Sequence, residues 1–88
     1  MRVKYEFAVR EIAGDYVLVP LGMAALEFAG MITTNEVGAF LWEQMQETFD
    51  VDTLVKCVME EFEVNEETAR QDVTEFVDNV RKLGILSE

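Results

Sequence analysis

The sequence predicts an α+β domain, a three-stranded antiparallel sheet followed by three helices. Two β-patterned runs flank Ala13-Gly14, the period changes from two to that of a helix near Ile32 to Trp42, and two capped amphipathic segments follow. Tyr5 to Ile12 and Asp15 to Val19 read as strands around a short hairpin turn, with glycine supplying positive φ. Pro20 is expected to close the second strand, because it has no amide for a ladder. PLGMAA then leads to a third strand over Leu26 to Thr33, where Leu26, Phe28, Gly30 and Ile32 alternate with Glu27, Ala29, Met31 and Thr33.

Val37, Phe40, Leu41 and Met45 recur at helical spacing, which places a first helix over about Asn35 to Gln46. Thr34 or Asn35 caps it, and Glu36 sets negative charge at the positive end of the helix dipole. Gly38 sits inside this helix at a cost of roughly 1 kcal/mol against alanine, so a close approach of the helix backbone to the sheet is expected there. A second helix starts after Asp50, with Leu54, Val55, Val58, Met59 and Phe62 on one face and Phe49 stapling to Leu54. The third starts after Asn65, Val64 and Ala69 repeating the staple. Its stripe is Ala69, Val73, Phe76, Val77, Val80 and Leu83, with Arg81 and Lys82 in the last turn and Gly84 just past the end. Three short helices with a small sheet are winged helix-turn-helix-like.

The 88 residues suit a single domain over 1–88, and half are hydrophobic with one proline, which argues against disorder. A chain this short buries only about 60 to 65% of its unfolded surface. No apolar run approaches a membrane span and MRVKYEF lacks a signal-peptide core, so a cytoplasmic protein without membrane contact is expected. The net charge of −11 is uneven: residues 1–34 hold four acids against three bases, whereas from Asn35 onward fourteen acids face four bases. Such a surface repels phosphate backbones and favours basic or neutral partners.

That charge excludes several chemistries. The last helix of a winged helix commonly reads DNA, but Asn65 to Leu83 carries Glu66, Glu67, Asp72, Glu75 and Asp78 against three bases, and no nucleic-acid partner is expected. With no histidine and one cysteine, catalytic triads, cysteine-based zinc sites and internal disulfides are ruled out. Glu60-Glu61 and Glu66-Glu67 lack the alternating oxygen ligands of a calcium loop and read as solvated surface. Cys57 reads as a small buried hydrophobe. No metal, cofactor or enzymatic activity is expected.

Binding of a polypeptide remains. Phe28 to Thr33 has neither charge nor proline, the usual protections of a sheet edge, so an extended peptide can add there through main-chain hydrogen bonds. The third helix can form the other wall. The alternative is a regulatory domain that binds a folded protein through its acidic helices. Either a monomer or a dimer swapped through the hairpin is compatible with the connection between the second and third strands.

GDYVLVP, ITTNEVGAFLWEQM, the DV-x-x-F-V of Asp72 to Val77 and the closing KLGIL together resemble the PqqD family, and the resemblance spans nearly the whole chain. The most specific part is Asn35-Glu36-x-Gly38-Ala39-x-x-Trp42. The chain departs from the family at Thr34, where leucine is common. The resemblance implies a non-catalytic peptide chaperone that binds the leader of a ribosomally made precursor and presents it to a modifying enzyme, often a radical SAM protein. Carried over by position, the strand wall comprises Phe28, Ala29, Gly30, Met31, Ile32 and Thr33, and the helix wall Asp72, Val73, Phe76, Val77 and Val80. It does not say whether the product is pyrroloquinoline quinone or another modified peptide.

Overall fold

The computed structural model describes residues 2–3, 5–28, 30–47 and 50–87. Its elements are β1 (Arg2–Val3), β2 (Glu6–Ile12), β3 (Asp15–Leu21), α1 (Met23–Glu27), β4 (Ile32–Thr34), α2 (Glu36–Gln44), α3 (Val51–Phe62), α4 (Glu66–Lys82) and β5 (Leu86–Ser87). The expected three-stranded antiparallel sheet is present in the order β2-β3-β4, and the expected three helices follow it.

β2 and β3 pair from Glu6↔Leu21 to Ile12↔Asp15, around a turn in which Ala13 (φ 53°) and Gly14 (φ 87°) both take positive φ. Two positive φ values make this a type I′ turn, whose first position suits asparagine better than alanine. Ala13→Asn is therefore expected to raise unfolding free energy by roughly 1 kcal/mol, read from the denaturant midpoint.

Three expectations require correction. Pro20 does not end its strand: β3 continues to Leu21, and Pro20 pairs with Phe7. β4 reaches only Leu18, so beyond it the far edge of β3 has no ladder partner among the described residues, the setting in which a residue without an amide is tolerated. The third strand does not begin at Leu26. Met23–Glu27 is a short helix, and only Ile32–Thr34 form the strand. Met, Ala, Leu and Glu are all strong helix formers, and their one-turn preference prevails over an alternation that Leu26, 80% exposed, does not use for burial. The first long helix ends at Gln44 rather than Gln46, its last turn tightening as the Gln46 amide donates to the Glu43 carbonyl at 3.3 Å. The chain ends also meet in a pairing that periodicity did not announce: β1 and β5 form a two-stranded antiparallel sheet, Val3 opposite Leu86.

The helix ends follow their sequence signals. Asn35 Oδ1 accepts from the Gly38 amide and Asn65 Oδ1 from the Thr68 amide, each at 2.8 Å. At α3, Asp50 Oδ2 accepts from the Thr53 hydroxyl; Phe49, the expected staple, lies outside the described residues. α4 closes in a Schellman arrangement, with the Gly84 amide donating to Arg81 O and the Ile85 amide to Val80 O. This turn delivers Ile85, fully buried, into the core.

One core joins sheet and helices. Leu18 from β3, Leu41 from α2 and Met45 just past its end, Leu54 and Val58 from α3 and Val73 from α4 are all fully buried. Trp42 ties α2 to the hairpin: its indole Nε1 donates to the Phe7 carbonyl at 3.2 Å, and the two rings meet edge-on at 5.3 Å. Cys57 is half-buried and unbridged. Among the described residues, no helix is long and apolar enough to cross a membrane, and no cluster of acidic or cysteine side chains could hold a metal ion.

Candidate functional site

Among the described residues, β4 pairs only with β3, so its outer edge offers unpaired main-chain groups. Beside that edge runs α4, and the space between them is a cleft. Along β4, Ile32 and Thr34 are half-buried while Thr33 is exposed. Along α4, two adjacent stripes do different work. Ala69, Val73, Val77 and Val80 fill the core, all 3% exposed or less. The neighbouring stripe of Asp72, Phe76, Asn79 and Leu83, also at helical spacing, lines the cleft.

The cleft has two parts that share Thr34, Phe76 and Asn79. The larger, about 390 Å³, is bounded by Ile32 and Thr33 on the strand and by Val80, Lys82 and Leu83 on the helix. The smaller, about 110 Å³, lies where β4 enters α2, between Asn35, Gly38 and the carboxylates of Asp72 and Glu75. Leu83 is 45% exposed, an apolar side chain left open to whatever enters. Electrostatics at this end of the sheet are negative. The Tyr16 phenol, opposite Thr34, is pushed above its ordinary pKa, first by the Glu11 carboxylate, then by burial and by Glu36.

Gly38 is where cleft and scaffold meet. A Cβ there would collide with Thr34 Oγ1 and come within 3.1 Å of the Phe76 ring. The close approach anticipated for this glycine is thus made by the end of β4 and by α4 together. Gly38→Ala should lose about 1–2 kcal/mol on thermal or chemical denaturation, overpacking outweighing the gain in helix propensity. In a Thr34→Ala background the loss should shrink, a non-additivity that a double-mutant cycle reads directly.

The family model for coenzyme PQQ synthesis protein D (PqqD) matches residues 15–86. The chain belongs to the PqqD family. Among solved structures, TbiB1 in complex with the TbiA(beta) leader peptide is similar over 99% of this chain and 95% of its own, with a TM-score of 0.70 and 18% identity. That likeness is one of fold. No sequence among the curated proteins matches the chain significantly.

The cleft of this PqqD-family chain contains part of the residue set expected from the sequence. Ile32, Thr33, Asp72, Phe76 and Val80 come together in it. Val73 and Val77 line neither part and pack wholly inside the core, whereas Val80, equally buried at 1% exposure, also borders the larger part. Phe28 follows α1 and meets Tyr5 edge-on and Phe7 at a tilt, with ring centroids 5.2 and 5.4 Å away, so it belongs to the support of the hairpin. Gly30 takes φ 129° and Met31 is 59% exposed, and both precede the strand rather than forming its wall. Ala29 lies outside the described residues. Glu75, Asn79, Lys82 and Leu83 were missed. A stripe of mixed polarity one residue ahead of an apolar one was their signal: Phe76 and Leu83 fit either stripe by period, and burial separates them.

Proposed function

We propose that this domain is a non-catalytic peptide chaperone that binds the leader of a ribosomally made precursor by strand addition to β4 and presents it to a modifying enzyme, of radical SAM type. The free edge of β4 beside an apolar cleft carries this reading: main-chain groups supply affinity, and the cleft distinguishes alternate side chains. Membership of the PqqD family supports it, as does a similarly folded protein, TbiB1, being found with a leader peptide. The absence of histidine from the chain suits a binding role, and a precursor made on ribosomes is met in the cytoplasm. The proposed ligand wall is Ile32, Thr33 and Thr34 on one side and Asp72, Phe76, Asn79, Val80 and Leu83 on the other.

A disordered leader loses chain entropy when it becomes a strand, so an affinity near micromolar, about −8 kcal/mol, is expected. Titrating the domain with the precursor peptide encoded beside its gene, and separately with that precursor's leader and core segments, tests the assignment. Leader and whole precursor should bind alike and the core alone should not. Binding carried by the core, or through the outer faces of α2 and α3, would instead favour an adaptor for a different surface.

A further inference from the structure

The cleft is directional. α4 runs opposite in sense to β4 across it: Thr34 and Asn35 share a hollow with Asp72 and Glu75, whereas Ile32 shares one with Val80, Lys82 and Leu83. The two ends also differ in chemistry. Arg70 pairs with Glu66 and Arg81 with Asp78, but neither Asp72 nor Glu75 has an ion-pair or hydrogen-bond partner among the described residues. Among the described residues, no cation lines their hollow. The other end is apolar, built on Ile32, Val80 and Leu83, and among the described residues the one charge on its rim is the cation Lys82.

A strand lying in this cleft meets the two ends at a set interval. The midpoint of Asp72 and Glu75 and that of Val80 and Leu83 are about eight residues apart along α4, or about 12 Å at about 1.5 Å per residue. An extended peptide advances about 3.3 Å per residue, so it spans that distance in between three and four residues. Only side chains an even number apart share a face, which selects a spacing of about four. The sheet is antiparallel throughout, and an added strand in the same sense passes Thr34 before Ile32.

The geometry points to a ligand of defined order, a peptide strand with lysine or arginine at one position and a large aliphatic or aromatic side chain four residues later. The basic side chain lies between Asp72 and Glu75, and the apolar one fills the hollow of Ile32, Val80 and Leu83. Lys82 opposes the reversed order by repelling a base at the apolar end. This rests on strand addition at β4 and specifies what the added strand carries.

A random-peptide display library panned against the wild-type domain and against Glu75→Lys and Asp72→Asn variants is the test, followed by amide shift mapping of the enriched peptides. Glu75 is exposed, so its replacement leaves the core intact. The wild type should enrich the basic-then-apolar order at that spacing over its reverse. Glu75→Lys should weaken the enriched peptides about fivefold, the upper end for an exposed ion pair, and the weakening should fade at high salt. Enriched peptides without that order, or no enrichment, would overturn the inference; if such peptides still shift the β4 amides, strand addition stands without it. Enriched peptides that leave β4 unshifted would overturn strand addition as well.

Discussion

Trp42→Ala is expected to cost about 3–5 kcal/mol of unfolding free energy, the range for removing a fully packed large aromatic. Trp42 is 2% exposed and supplies both an edge-on contact to Phe7 and a hydrogen bond to its backbone carbonyl. Truncation opens a cavity and leaves that carbonyl buried without its donor, two losses that act in the same direction. A small domain has about 5–15 kcal/mol to lose, so the variant should be partly unfolded at growth temperature. Trp42→Phe separates the terms: it keeps a ring against Phe7 and forfeits the indole N–H, and should cost about 1–3 kcal/mol. Denaturant unfolding of the two variants provides the comparison. A loss below 1 kcal/mol for Trp42→Ala would show that α2 is held to the hairpin by other contacts.

Phe76→Ala is expected to lower leader affinity by about 30-fold or more, the signature of an aromatic anchor worth about 2 kcal/mol. Its ring is half-buried, lines both parts of the cleft and lies against Gly38, so it forms the floor on which a peptide side chain rests. Because part of that ring is already in solvent, its removal should destabilise the fold by less than the about 3–5 kcal/mol typical of a buried phenylalanine. Val73→Ala is the control. Val73 is fully buried in the adjacent stripe, and its truncation should cost about 1–3 kcal/mol of stability while changing affinity only a few-fold, once folded protein is compared with folded protein. Equal losses of affinity in the two variants would place the effect in the fold and not in the cleft.

Local chemistry made much of this fold legible. Asn35 and Asn65 announce helix starts because a side-chain oxygen satisfies an orphan amide, and Gly84 announces an end because the closing turn requires positive φ (here 78°). The hairpin was readable for the same reason. Its neighbour was not: Leu26 to Ile32 alternates by residue type, but alternation signals a strand only when one face is buried, and here Met23 and Leu26 are exposed on a single helical turn. The β1–β5 pair escaped because two residues carry no period. For the cleft, the resemblance to a known family named a strand and a helix that the structure sets side by side, as β4 and α4. It did not separate the face of α4 that builds the core from the face that borders the cleft, since Val73 and Phe76 are equally apolar and only tertiary packing distinguishes them.

Amide hydrogen exchange of the domain with and without a bound leader tests strand addition most directly. Of the three β4 residues, those whose amides point away from β3 should exchange readily in the free domain and become protected with leader bound, because the incoming strand supplies the missing acceptors. Chemical shifts of Phe76, Asn79 and Leu83 should change in the same titration as the cleft fills. Tight leader binding with unaltered exchange throughout Ile32–Thr34 would contradict strand addition.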